Sequence, residues 1–305
     1  MLRLRQVHKQ IAARPGSFRQ QTTRYMSRIR TSGIIIIADE VLSSKTIDTN
    51  SAWFSRFCFK LGVDLKRVEV IADDVEEITE AVARMSNRYD FVVTSGGIGP
   101  TLDDITYSSI ARAYSLPLEY HEQTIQKMKA MSTNRKINWE LPEDNPEILA
   151  RKRMALFPTP SKVIYPSKDL WVPIVVVNQN VHVLPGIPRL FTQMLEGYQP
   201  ALEALIDPAN RRHRVLVQTS KPEGSIAPFL DSLQKKVGAD VKVGSYPRDI
   251  GGGVVISLLG KDLQHMKSFV AEIEKNVDGR QVDPDAERNA EESRGKEFKD
   301  ALKKS

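Results

Sequence analysis

Short apolar runs alternate with helical periods along the chain from residue 34 onward. "GIIIIAD", "KRVEVIAD" and "DFVVTS" predict three buried strands. The segments "NSAWFSRFCFKLG", "VEEITEAVARMSNR" and "DDITYSSIARAY" have the apolar spacing of helices, and the first of them ends on Gly62. Apolar strands separated by helices of this length pair in parallel with both faces covered. The pattern therefore predicts a doubly wound α/β domain with three layers and a mostly parallel sheet.

The pattern weakens after residue 116 and then changes character. "HEQTIQKMKAMS" predicts a helix, and "NRKINWELPEDNPEILARKRM" mixes helical signal with proline breaks. "KVIYPS", "WVPIVVVN" and "NVHVLP" predict short strands in a meander, and "PRLFTQMLEGY" predicts a helix with proline in its first turn. Beyond the linker-like "IDPANRR", the segments "HRVLVQT", "EGSIAPFLDSLQKKVG", "VKVGSYP", "GGVVISLLG" and "DLQHMKSFVAEIEKNV" predict a small α+β unit.

These boundaries divide the chain into four segments. We expect a leader over 1–31, the α/β domain over 32–206, the α+β domain over 207–282 and a charged, solvated tail over 283–305.

The positive charge of the chain is concentrated at its start. Residues 1–33 hold eight Lys or Arg and no acid, so the net charge of +6 becomes −2 for the rest. The basic surface of a nucleic-acid binder is therefore missing, and we expect no nucleic-acid partner. The Arg-rich, acid-free leader predicts a mitochondrial (matrix) transit peptide, with a disordered basic tail as the alternative. Initiation at Met26 would give a cytoplasmic form.

The cysteine content and the hydropathy of the chain narrow the class of protein further. Cys58 is the single cysteine, so neither an intrachain disulfide nor a cysteine metal cluster is available. It shares a helical face with Phe54 and Leu61, which predicts core packing. No apolar stretch reaches the length of about 20 residues that a membrane span needs, so we expect no membrane partner.

The stretch "FVVTSGGIGPTLDDIT", residues 91–106, carries the strongest chemical signal. Its glycines follow a buried strand and precede a helix that we expect to begin near Asp103. Amides at a helix start bind anions, and ligands of α/β sheets lie at the carboxyl ends of strands. The stretch therefore predicts a phosphate cradle, whose residues are Thr94, Ser95, Gly96, Gly97, Gly99, Pro100 and Thr101. It lacks the lysine of a Walker loop, the spacing of the dinucleotide fingerprint and the Asp-Ser of an ATP-pyrophosphatase loop.

Two aspartates follow the glycines. Thr101 and Asp104 have the spacing of a capping box, which explains one carboxylate. A second acid, Asp103, beside a glycine loop favours a metal-binding or water-activating role.

Other strand ends also carry polar residues. Asp39 and Glu40 follow the first strand, and Asp73 and Asp74 follow the second. Acids at several carboxyl ends of one sheet are typical of a cation held beside phosphates, although turn formation alone would explain about half of them. Asp48, Thr49 and Asn50 precede a helix, where capping explains Thr49 or Asn50 fully. Further candidates for nucleotide or pterin contact are Asp48, Asn50, Lys152, Pro185, Gly186 and Arg189.

The motifs "ADEVLSSKTIDTNSAWF", "IADDVEEI", "TSGGIGPTLDDIT" and "VLPGIPR" together resemble the molybdopterin-binding domain family. The likeness is to the branch with bacterial CinA-type proteins and the N-terminal domain of eukaryotic FAD synthase, and it covers residues 32–280. The resemblance implies a pterin or nucleotide diphosphate at the carboxyl edge of the sheet. Ala38 departs from the family's glycine, and Leu190 stands where many relatives carry Glu.

In molybdenum-cofactor members of this family, the acids that match Asp73 and Asp104 are functional. In the CinA-like branch the pocket hydrolyses ADP-ribose or FAD with a divalent metal, here Mg, Mn or Co. The resemblance implies an ion held by Asp104 with help from Asp39, Glu40 or Asp48. The amides of Gly96, Gly97 and Gly99 would hold the diphosphate while a carboxylate orients water. Relatives also imply a homo-oligomer.

Three functions stay open at this point. The first is a metal-dependent pyrophosphatase, a hydrolase of the phosphoric anhydride in FAD, ADP-ribose or a related nucleotide. The second is a pterin-binding or adenylyl-transfer protein of molybdenum-cofactor synthesis, for which molybdopterin would be the ligand. The third is a non-catalytic nucleotide-binding protein. No segment resembling an adenylyltransferase or a CinA-type amide hydrolase follows, so we do not expect FAD synthesis.

Overall fold

The computed structural model describes residues 29–132, 138–248 and 253–286. Residues 1–28 of the predicted leader, Met26 among them, and most of the charged tail lie outside them. The predicted leader extends to residue 31, but Ile29 is buried in the core and Thr31 begins the first strand. The strands are β1 Thr31–Ile37, β2 Asp64–Ile71, β3 Phe91–Ser95, β4 Leu118–Tyr120, β5 Leu156–Pro158, β6 Lys162–Ile164, β7 Ile174–Val177, β8 Val181–Leu184, β9 His213–Thr219, β10 Lys242–Pro247, β11 Val254–Gly260 and β12 Gly279–Val282. The helices are α1 Asp39–Leu42, α2 Asn50–Leu61, α3 Val75–Arg88, α4 Thr106–Ala113, α5 Glu122–Met131, α6 Pro146–Arg153, α7 Pro188–Glu203, α8 Glu223–Val237, α9 Leu263–Ser268 and α10 Val270–Val277.

A six-stranded sheet forms the centre of the larger domain. Its strand order is β2-β1-β3-β8-β7-β6. The first four strands run parallel, while β7 and β6 are antiparallel to their neighbours. The prediction of a mostly parallel sheet is confirmed, and the parallel part brings the carboxyl ends of β1, β2, β3 and β8 to one edge.

Helices cover both faces of this sheet, as the uniformly apolar strands predict. Along β1, Ile34 and Ile36 join one buried cluster with α2 and α7. Ile35 and Ile37 point the other way, into a cluster with α3, α4 and α5. All four side chains are buried because successive residues of a strand face opposite sides.

Helix α2 shows how local sequence signals set an element. Phe54, Cys58 and Leu61 are buried on one face of it, as predicted. Burial raises the pKa of the Cys58 thiol to about 12, so this group is not a nucleophile near neutral pH. Gly62 ends the helix in the left-handed region at φ 80°, which glycine adopts without strain.

The smaller domain is an antiparallel sheet of order β10-β11-β9-β12 covered by α8, α9 and α10. The predicted α+β unit is present with two differences. The last helix is divided at Phe269, and a fourth strand, β12, pairs with β9. The predicted linker forms a short 3-10 turn, after which Arg212 makes an ion pair with Asp64 at 3.0 Å.

No helix within the described residues is long and apolar enough to cross a membrane.

Candidate ligand site at the carboxyl edge of the sheet

A cavity of about 740 Å³ opens where the carboxyl ends of β1, β2, β3 and β8 meet. This volume lies in the range of small-molecule sites, about 300–1,000 Å³. The predicted residues that line it are Glu40, Asp48, Asn50, Asp73, Ser95, Gly96, Gly97, Gly99, Pro100, Asp103, Asp104, Pro185 and Gly186. The topology therefore brings motifs from four separated parts of the chain to one place.

The glycines of the loop after β3 are required by the protein backbone itself. Gly96 has φ 118°, and a Cβ there would lie 2.2 Å from the carbonyl oxygen of Ile37. Gly97 has φ 62°, and its Cβ would lie 2.3 Å from Oγ1 of Thr106. Side chains rarely adopt these φ values, so the loop can approach β1 and α4 only as glycine.

The predicted cradle of three amides is wrong in part. The amide of Gly96 donates to the carbonyl of Leu184 at 3.1 Å, and that of Gly99 donates to Oδ1 of Asp104. Both are therefore committed within the protein. Among the described residues no acceptor is found for the amide of Gly97, which leaves it for a ligand.

Asp104 holds this loop in shape. Its Oδ1 accepts from the Gly99 amide, and its Oδ2 accepts from the amide of Thr101 at 2.8 Å and from the Thr101 hydroxyl. The predicted helix start near Asp103 is wrong, because α4 begins at Thr106. Thr101 and Asp104 therefore do not form a capping box, and the bonds between them close a turn ahead of the helix.

The acids after β1 and β2 form a linked pair. The amide of Asp39 donates to Oδ2 of Asp73 at 3.0 Å, and the amide of Asp73 donates to Oδ1 of Asp39 at 3.3 Å. The pKa of Asp73 is raised above its usual value, first by burial and then by the charges of Asp39, Glu40 and Asp103, while the bond from Asp39 opposes the rise. This crowding shows that the cavity accumulates negative charge around Asp73.

The carboxylates offer the hard oxygen donors that Mg²⁺ or Mn²⁺ prefers. Within the described ranges no three His, Cys, Asp or Glu side chains come together as a complete ion cage. Mg²⁺ is commonly held by one or two carboxylates together with substrate phosphates and water. The donor set fits an ion of that kind.

Helix capping at α2 differs from the prediction. Asp48 provides the cap, since its carboxylate accepts from the amide of Ser51 at 3.0 Å and from the Ser51 hydroxyl. Thr49 occupies the N-cap position without a side-chain bond. Asn50 is buried, and its amide donates to Oγ of Ser95 at 2.9 Å and to the carbonyl of Gly186 at 2.8 Å. These bonds tie α2 to the end of β3 and to the loop after β8.

Several predicted residues do not face the cavity. Thr94 is fully buried in β3, and Thr101 contributes to the turn instead. Asp74 caps α3 by accepting from two amides of its first turn. Lys152 pairs with Glu143, and the exposed Arg189 lies outside the cavity lining.

The apolar part of the cavity was missed by sequence reasoning. It comes from the loops after β3 and β6 and from the ends of α5 and α6, elements far apart in the chain. Its main members are Ile98, Met131, Met154, Leu170, Trp171 and Val172. The predicted strand "WVPIVVVN" includes Trp171, whereas β7 begins only at Ile174 and Trp171 lies in the loop before it.

Residues 33–204, more than half of the chain, match the family described as "Probable molybdopterin binding domain". The chain belongs to this family. Residues 211–286 match the "FAD synthase, middle domain". Together the two matches confirm the predicted resemblance to the FAD synthase branch.

Two curated proteins and one solved structure illustrate what this chain is similar to. The chain is 29% identical over 236 residues to the "Probable FAD synthase" of Caenorhabditis elegans, covering 73% of this chain and 44% of that one. It is 31% identical over 218 residues to a protein of Aeropyrum pernix, covering 70% and 78%. The solved CinA protein of unknown function from Thermoplasma acidophilum is 26% identical with a TM-score of 0.49, covering 58% of this chain and 99% of that one. The chain spans less than half the length of the "Probable FAD synthase" proteins of Caenorhabditis elegans and Caenorhabditis briggsae.

Proposed function

We propose that this protein is a metal-dependent nucleotide pyrophosphatase that hydrolyses the diphosphate of FAD, ADP-ribose or a related nucleotide. One observation carries the proposal. The described residues that line the cavity include six carboxylates and no Lys or Arg. The carboxylates are Glu40, Asp48, Asp73, Asp103, Asp104 and Asp169.

This charge pattern determines what an anionic substrate would need. Two like charges 4 Å apart repel by about 4 kcal/mol at an effective dielectric constant of 20. Binding of a bare diphosphate beside these acids is therefore unfavourable. A divalent cation between the diphosphate and the carboxylates would make the electrostatic interaction attractive. A pocket built to hold phosphate directly would carry Arg or Lys in its wall.

Asp73, together with Glu40 or Asp103, would hold the cation alongside phosphate oxygens and water, since both oxygens of Asp104 already accept bonds from its own loop. When bound, the ion would neutralise phosphate charge and polarise the phosphoryl oxygens. The free amide of Gly97 would donate to a phosphate oxygen. A carboxylate of Asp73, Glu40 or Asp103 would take a proton from a water molecule as the oxygen of that water bonds to phosphorus. The bridging P–O bond then breaks to leave two monophosphates.

The apolar wall supports a substrate with a planar ring. Trp171 is half-buried and lines the cavity, and indole rings stack on flat heteroaromatic systems. Met154 and Ile98 pack into the same core cluster as Trp171, which fixes the wall. FAD, ADP-ribose and pterins all carry such a ring.

Hydrolysis of FAD, ADP-ribose and NADH by the protein without residues 1–28 tests the proposal. We expect AMP release from at least one of them with Mg²⁺, Mn²⁺ or Co²⁺, and none with EDTA. Asp73→Asn should lower kcat at least 100-fold, whereas Glu119→Gln, an exposed acid on β4 outside the cavity, serves as the matched control. Tight binding without AMP from any substrate would refute the proposal and favour a non-catalytic or pterin-binding protein.

A further inference from the structure

Asn50 has a hydrogen-bonding group that the protein leaves unused. The residue is 5% exposed and lines the cavity. Its Oδ1 has no partner among the described residues, although the atom is shielded from solvent. A buried acceptor left unpaired is unfavourable, so such atoms in a native protein require an explanation.

The orientation of this amide follows from its partners. The carbonyl oxygen of Gly186 can only accept, so the Asn50 atom 2.8 Å from it must be the NH₂ group. The same group donates to Oγ of Ser95 at 2.9 Å. Both amide protons are therefore used inside the protein, and the free atom is the acceptor. Because Asp48 caps α2, Asn50 is not needed for that purpose.

We infer that Oδ1 of Asn50 accepts a hydrogen bond from a neutral N–H or O–H donor of the bound nucleotide and so discriminates between ligands. This inference rests on the proposed function only in taking a nucleotide as the ligand of the cavity. The other oxygen acceptors in the wall are mostly carboxylates, which favour cations. A neutral amide oxygen instead suits an uncharged donor, such as a ring N–H or a ribose hydroxyl.

The two bonds of the Asn50 NH₂ group give this acceptor a fixed position. They run to Ser95, the last residue of β3, and to the carbonyl of Gly186 in the loop after β8, both of which line the cavity. A fixed acceptor left unpaired by a ligand without the donor penalises that ligand, which is how buried polar groups produce specificity.

Equilibrium binding of a matched series of flavin nucleotides tests the inference. The series is FAD, N3-methyl-FAD, FAD with a 2′-deoxyadenosine, and FAD with an N6-dimethyladenine, which remove the ring N–H, the ribose O–H and the adenine N–H in turn. Binding is measured by flavin fluorescence anisotropy with and without Mg²⁺, and AMP in the same samples is measured by chromatography.

We expect one of the analogues to bind wild-type protein about 10-fold more weakly than FAD, and Asn50→Ala to bind all four within about twofold. If Asn50→Ala does not fold, Asn50→Ser replaces it, because a hydroxyl can keep one of the two tethers. Wild-type protein that binds all four equally overturns the inference. An Asn50→Ala variant that still discriminates among the four ligands also overturns it. The same holds if the variant loses affinity equally for all four ligands, or loses it only in the presence of Mg²⁺.

Failure of the two proposals can be told apart. Discrimination without AMP leaves the role of Asn50 standing and refutes the pyrophosphatase. AMP release without discrimination supports the pyrophosphatase and refutes the role of Asn50. A protein that binds no member of the series refutes both proposals.

Discussion

Replacing Asp104 by Asn separates a loop-holding role from a catalytic one. The carboxylate accepts three hydrogen bonds, from the amides of Gly99 and Thr101 and from the Thr101 hydroxyl. An Asn side chain retains one oxygen, so its NH₂ group must face a donor on one side of the turn. The glycine loop would then lose its present shape.

The magnitude follows from these contacts. Bonds to a charged acceptor contribute about 1.5–3 kcal/mol each in buried settings and less in a half-exposed turn. Loss of one bond to an amide, with a second weakened, gives about 2 kcal/mol. A protein of this size shifts its Tm by about 2–4 °C per kcal/mol, so Asp104→Asn should lower Tm by roughly 4–8 °C.

Differential scanning calorimetry with a parallel assay of AMP release measures both effects. We expect kcat/KM to fall together with Tm, because Gly97 and Gly99 belong to the same loop. Asp73→Asn serves as the comparison, since its expected effect is on turnover. If Asp104→Asn abolished turnover with Tm unchanged, the loop-holding role would be refuted and the directly catalytic role predicted from the sequence would be restored.

Two further predictions concern stability. His182 is buried and its pKa is lowered to about 4, chiefly by burial, so unfolding takes up a proton as pH falls from 6.5 to 4. We expect His182 to contribute roughly 2–3 kcal/mol less to the free energy of unfolding at pH 4.5 than at pH 7, seen in urea unfolding as a pH dependence that His182→Gln lacks. Gly96→Ala should lower Tm by 5 °C or more, since its Cβ meets the Ile37 carbonyl, whereas Gly224→Ala in α8, with nothing within 4 Å, should leave Tm unchanged or higher. Equal shifts in the two variants would contradict this reading of the loop.

The sequence by itself determined the elements and their layering. The apolar runs of β1 and β3 are uninterrupted because both strands are buried on both faces of the sheet. Such a run can be recognised from the local sequence alone. The glycine and proline signals likewise placed the end of α2 at Gly62 and the start of α7 at Pro188. The grouping of acids at the carboxyl edge followed from parallel pairing alone.

Only the tertiary structure decided what the individual polar groups do. Asp74 and Asp48 cap helices, Asp104 closes a turn, and Asp73 faces the cavity, although all four are acids beside strand ends or helix starts. These roles depend on which backbone amides lie within about 3 Å of each carboxylate, and the residue type alone does not determine those distances. Trp171 reaches the cavity through a loop whose path is set by packing of distant segments. Periodicity reports burial along one element, whereas a site depends on distances between elements.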